Sequence, residues 1–224
     1  MKHTTASFNS QTMSFHPLKY RFIAAAEQPA QRPTLLLLHG TGGDENDLLN
    51  LAEELTEGHV NLLGVRGNVL ENGFTTRFFR RLGTGIFDYE DLRFRTDELV
   101  DTLKNVAASE GFDLSKVIAL GYSNGANIGG AILQKYPQLL AGAILWRPML
   151  PLPDEKPAGS NGAPVLLTSG QADPYYQAAN MKTYVQLLTA AGFQVQHELL
   201  PSSHNLTQQD MTVTRDWLKA KFTI

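Results

Sequence analysis

The chain of 224 residues contains no cysteine, which excludes disulfides, thiolate metal sites and a cysteine nucleophile. That absence does not place the protein in a compartment, since chains without disulfides occur inside and outside cells. Long hydrophobic runs are missing too: no stretch approaches the roughly 20 apolar residues that span a bilayer. Met1 to Met13 is polar and lacks the apolar centre of a secretory signal. A cytoplasmic protein without stable membrane insertion is therefore expected. Nor does one sign of charge dominate. The 19 lysines and arginines face 22 acidic residues for a formal net charge of -3, with no long basic block, so nothing asks for nucleic acid or an anionic membrane. Neither G-x-x-x-x-G-K-[ST] nor G-x-G-x-x-G is present, which removes the phosphate-binding loops that those patterns mark. There is no internal repeat and no low-complexity tract.

What is present is an ordinary globular composition, 42% apolar and 18% charged. It predicts a loose arm over residues 1–13 and one α/β domain over 14–224. His16 to Ala26 reads as an edge strand. Thr34 to Leu38 is an unbroken apolar strand of the kind buried on both faces of a parallel sheet. Asp47 to Glu57 carries a helical stripe, and Val60 to Val65 is a further strand. Arg66 to Tyr89 reads as a long irregular stretch whose aromatic content suggests pocket lining over disorder. Asp91 to Glu110 is helical. Strands follow at Val117 to Leu120, Leu140 to Trp146, Pro164 to Gly170 and Gln194 to Leu200, with helices from Asn124, over Tyr175 to Ala191 and over Leu206 to Phe222. Strands alternating with helices imply a mostly parallel sheet covered on both faces, and the Pro-rich Arg147 to Gly162 connection is too short for a substantial lid domain.

Chemistry concentrates at Gly121-Tyr122-Ser123-Asn124-Gly125. It is a G-x-S-x-G sequence between a predicted strand and a predicted helix, the context in which a serine on a strained turn presents its hydroxyl at the carboxyl end of the sheet. Ser123, Asp173 and His204 each fall just past a strand end, in the order Ser, Asp, His that the α/β-hydrolase fold uses. In that arrangement His204 is the base for the Ser123 hydroxyl and Asp173 orients the imidazole, with no metal and no cofactor required. The expected oxyanion donors are the backbone N–H of Asn124 and one from the glycine-rich loop after Leu38, with Thr41 favoured. His39 is expected to shape that loop, and not to transfer protons. Phe78, Phe79, Trp146 and Tyr175, in or beside strand-end loops, are the candidates for a substrate pocket. Arg77 and Arg80 could meet an anionic group, although surface ion pairs are the commoner role for such residues.

His39-Gly40-Thr41-Gly42-Gly43-Asp44-Glu45, Gly121-Tyr122-Ser123-Asn124-Gly125-Ala126-Asn127, Asp173-Pro174 and His204 together resemble the phospholipase/carboxylesterase family of α/β-hydrolases, over about Thr34 to Leu206. Glu71-Asn72-Gly73, Phe78-Phe79-Arg80-Arg81 and Phe87-Asp88-Tyr89-Glu90-Asp91-Leu92 further resemble the branch that includes bacterial hydroquinone- and catechol-resistance carboxylesterases. The resemblance implies a small serine esterase without a lid, whose partner is a small-molecule ester. It leaves a homodimer open. Members with a bulky apolar residue after His-Gly and Gly-Phe-Ser-Gln-Gly-Gly at the nucleophile are acyl-protein thioesterases. This chain departs from them at Thr41, Tyr122 and Asn124, which turns the expectation away from long-acyl protein substrates. An acyl thioesterase or lysophospholipase would use the same three residues. A non-catalytic binding module on the same scaffold is the alternative of another class.

Overall fold

A computed structural model describes residues 15–222 and 224. The expected arm over 1–13 lies outside them. Its first strand, β1 (Tyr20–Ile23), is followed by β2 (Thr34–Leu38), α1 (Leu49–Thr56) and β3 (Asn61–Val65). Two short antiparallel pairs come next, β4 (Val69–Glu71) with β5 (Thr75–Arg77) and β6 (Arg81–Gly83) with β7 (Ile86–Phe87). Then come α2 (Tyr89–Glu110), β8 (Val117–Tyr122), α3 (Asn124–Lys135), β9 (Gly142–Trp146), β10 (Pro164–Gly170), α4 (Ala178–Ala190), β11 (Gln194–Leu200) and α5 (Gln208–Phe222). The irregular stretch expected over 66–89 is thus partly ordered as two hairpins. Asn72 and Gly73, at φ 54° and 81°, make the turn between β4 and β5, as an Asn-Gly pair favours.

The main sheet has seven strands in the order β1-β3-β2-β8-β9-β10-β11. Only β1, at the edge, runs antiparallel. Along β2, alternate leucines face opposite layers. Leu36 and Leu38 join a core with Val100 of α2, Ile132 of α3 and Tyr184 of α4, whereas Leu35 and Leu37 join another with Leu55 of α1 and Trp217 of α5. This is why the strand reads as a continuous apolar run: both faces are covered.

The strand order also positions the site. From β2 the chain moves outward to β3, and it later re-enters on the other side of β2 as β8, so the strand order reverses between those two strands. A crevice opens at the carboxyl ends where such a reversal occurs. Register pairs Leu38 with Gly121, which sets the loop beginning at His39 beside the turn that carries Ser123. No helix among the described residues is long and apolar enough to cross a membrane.

Candidate active site

Ser123 caps the start of α3 with φ 52° and ψ -109°, a strained conformation for a residue with a Cβ. Close packing holds it there. A Cβ on Gly121 would lie 2.6 Å from the Gly125 carbonyl oxygen, and one on Gly125 would fall onto the carbonyl oxygen of Leu38. Glycine at both positions lets β2, β8 and α3 approach closely enough to force the turn. The Ser123 N–H donates to the Trp146 carbonyl at 2.9 Å and its own carbonyl accepts from Asn127 at 2.9 Å, so the backbone on both sides of the hydroxyl is anchored.

His204 lies in the loop between β11 and α5, and Asp173 in the turn after β10. Their side chains meet Ser123 in one line: Nδ1 of His204 is 2.8 Å from Asp173 Oδ2, and Nε2 is 2.9 Å from Ser123 Oγ. An ionised carboxylate can only accept, so Nδ1 carries the hydrogen and Nε2 presents its lone pair to the serine hydroxyl. Asp173 is buried, and its other oxygen accepts the Tyr175 N–H at 2.8 Å. Tyr122 braces the histidine from a second side, its hydroxyl donating to the His204 carbonyl at 3.2 Å.

The histidine loop hangs on a residue that sequence reasoning missed. Arg147 follows β9 with φ 58° and is completely enclosed, as is its partner Asp210 of α5. Two guanidinium nitrogens donate to the Asp210 carboxylate at 2.7 and 2.8 Å. The same guanidinium donates to the carbonyls of Ser203 and Asn205, on either side of His204, at 3.0 Å each. Burial pushes the Asp210 carboxyl upward, but hydrogen bonds from Arg147 and from the Thr207 N–H outweigh it and hold the group below the usual carboxylate range. A signal existed for Asp210: Thr207-Gln208-Gln209-Asp210 has the S/T-x-x-acid spacing of a helix start.

Thr41 and Asn124 flank Ser123 on the wall of a cavity of about 290 Å³. As the first residue of α3, Asn124 has an N–H without an intrahelical partner. The Thr41 N–H has no acceptor among the described residues. The Asn124 side chain accepts the Phe78 N–H at 2.7 Å and ties the hairpin segment to the start of α3. Tyr175 also lines the cavity, its ring 5.1 Å from that of His204.

Three expected pocket residues do not line it. Trp146 points into the core beneath α5, where its Nε1 donates to Thr214 at 2.9 Å; Phe78 stacks beside His39 at 4.6 Å; Phe79 packs edge-on to Phe87 at 5.1 Å. All three are buried. Packing against Thr214, His39 and Phe87, not visible in composition, takes these three aromatics inward and leaves Arg77, Arg81 and Phe87 to line the cavity. Arg80 is a surface residue paired with Asp88 at 3.0 Å.

His39 is buried, and its ring bridges two backbone groups. Nε2 accepts the Gly67 N–H at 3.0 Å, so Nδ1 donates to the Gly40 carbonyl at 2.6 Å. With both nitrogens engaged the ring supports the loop. Burial lowers its pKa by more than the Gly40 carbonyl and the nearby Asp47 and Asp44 raise it, and burial lowers that of His197 against a weaker pull from Glu198. The unfolded chain therefore takes up protons below about pH 6.5 that the folded chain refuses. The stability linked to these two groups is full above that value and is lost as pH falls toward their folded pKa values. The urea midpoint is expected to drop between about pH 7.5 and 5.5, and to drop less in His39→Gln. An identical pH slope in that variant would remove His39 from the account.

Comparison with known proteins identifies the family of the chain. A family model described as phospholipase/carboxylesterase matches residues 88–222. The protein of Bacillus subtilis (strain 168) named as the hydrolase MhqD is 42% identical over 185 residues, covering 83% of this chain and 92% of that protein. The Bacillus cereus carboxylesterase crystal structure superposes with a TM-score of 0.86 at 41% identity, covering 95% of this chain and 97% of the other. A carboxylesterase from Mesorhizobium loti superposes at 0.81 with 30% identity, covering 90% and 94%. The chain belongs to the phospholipase/carboxylesterase family of α/β-hydrolases and is a hydrolase of that class.

Proposed function

We propose that the protein hydrolyses small carboxylic esters through an acyl-Ser123 intermediate. The observation that carries this reading is the pair of hydrogen bonds linking Ser123 Oγ to His204 and His204 to Asp173, at the wall of the cavity. Ser123 Oγ attacks the ester carbonyl carbon as its proton passes to Nε2 of His204, and the carbonyl π electrons move onto oxygen. The N–H groups of Thr41 and Asn124 receive that oxyanion, and Asp173 stabilises the imidazolium. Collapse of the tetrahedral centre breaks the bond to the alcohol, which leaves with the proton from Nε2. Water then attacks the acyl-enzyme and gives a proton to His204. The second collapse returns that proton to Ser123 and releases the acid. One ester and one water yield one acid and one alcohol.

A cavity of about 290 Å³ is at the small end for organic ligands and favours short or compact acyl groups over the long chains of a lysophospholipid. Labelling with a fluorophosphonate followed by peptide mass spectrometry tests the reading without a substrate guess. A single adduct on Ser123, lost or greatly slowed in His204→Ala, is expected. A folded wild-type protein that takes up no label would refute it.

A further inference from the structure

We infer that the site is built for esters carrying a second, negatively charged group, a carboxylate, and that Arg77 with Arg81 recognises it; this rests on the ester-hydrolase reading above. The cavity is lined by Arg77, Arg81 and Arg147 and by no aspartate or glutamate. Arg147 is already neutralised by Asp210. Arg77 and Arg81 share one carboxylate. Arg81 donates twice to Glu71 Oε1, at 2.9 and 2.7 Å, while Arg77 Nη1 stands 3.5 Å from Glu71 Oε2, too far for a good hydrogen bond. Two guanidinium groups against one carboxylate leave one positive charge uncompensated at the cavity wall.

That charge sits where water compensates it poorly. The Arg77 side chain is 6% exposed. Its Nε donates to the Phe79 carbonyl at 3.2 Å and its Nη1 to Thr41 Oγ1 at 2.7 Å, whereas Nη2 has no hydrogen-bond acceptor among the described residues. Burial, and then the neighbouring Arg81, lower its pKa, as expected of a cation held at a cost in free energy. The group is also fixed relative to the nucleophile. Thr41 ties it to the oxyanion loop, and the bond from the Phe78 N–H to Asn124 ties the next residue to the one after Ser123. A carboxylate accepting from Arg77 therefore belongs to a short substrate whose ester carbonyl lies at Ser123. Arginine is suited to this role because its planar N–H donors match carboxylate geometry.

The test compares monoethyl glutarate with ethyl pentanoate, esters of similar length that differ in charge, by ethanol release at low ionic strength. Wild type is expected to favour the carboxylate ester in kcat/KM by about 10- to 100-fold, the range of a charge-assisted hydrogen bond. Arg77→Gln should lose most of that ratio, Arg77→Lys should keep part of it, and Arg81→Gln should reduce it. Free glutarate should inhibit wild type competitively and Arg77→Gln more weakly. A wild type without the preference, or an Arg77→Gln variant that slows on both esters equally, would overturn the inference; the second result would make Arg77 a brace for Thr41 alone. Fluorophosphonate labelling of each preparation separates the two readings. A labelled enzyme indifferent to the carboxylate sinks only the anion inference, and an unlabelled one sinks both.

Discussion

Ser123→Ala and His204→Ala should each lower kcat on an activated ester by about 10⁵- to 10⁶-fold, and the double variant should be no worse than either single one. The reason lies in how the groups are connected. Ser123 Oγ at 2.9 Å from Nε2 is a weak nucleophile unless that nitrogen takes its proton, and His204 has no proton to move once the hydroxyl is gone. Removing either partner removes the whole function of the pair, which is why their effects do not add. A residual acceleration of about 10³- to 10⁴-fold over water should survive, because the proposed oxyanion donors are backbone groups that neither substitution touches. Single-turnover kinetics with purified, folded variants decides the matter. If the double variant were slower than either single by a further large factor, serine and histidine would be acting independently, and the proton-relay reading would be wrong.

The second large effect falls on stability. Asp210→Ala should destabilise the protein by about 3–5 kcal/mol, or roughly 6–20 °C in melting temperature, because it leaves the enclosed Arg147 guanidinium without its counter-ion. Replacing both, as Arg147→Met with Asp210→Leu, should recover much of that loss, since an apolar pair of similar size avoids the burial of an unpaired charge. Activity should not recover with it. The carbonyls of Ser203 and Asn205 would lose the donor that holds them, and His204 between them would lose its fixed distance to Ser123. Thermal denaturation and the rate of fluorophosphonate labelling, measured on the same samples, separate the two roles. A double variant that regained both would show that the ion pair serves stability alone.

Much of this arrangement was legible in the linear chain because it follows from local rules. The run Thr34 to Leu38, apolar at every position, can only be a strand covered on both faces, and the structure places it between β3 and β8 with a core on each side. The glycines around Ser123 mark a backbone crossing too tight for a Cβ, and the order Ser, Asp, His follows from where three strands end. Pro164 to Gly170 and Gln194 to Leu200 are strands over the residues expected.

Sequence alone determined the fold class and the three residues that meet, because strand periodicity and a sterically demanded turn are written in short segments. Tertiary structure alone decided which way side chains point in the segment after β3 and at the end of β9, and what long-range partners they find. Phe78, Phe79 and Trp146 satisfy the same local preferences whether they face a cavity or a core, and it is the packing of α5, His39 and Phe87 against them that sends them inward. Arg147 and Asp210, 63 residues apart, form an ion pair that no spacing rule connects. The burial of Arg77 at the cavity wall likewise depends on Thr41, Glu71 and Asn124 closing around its segment, a condition set by the assembled sheet. Contacts between distant segments have no local signature, since they exist only once the strands have taken their order.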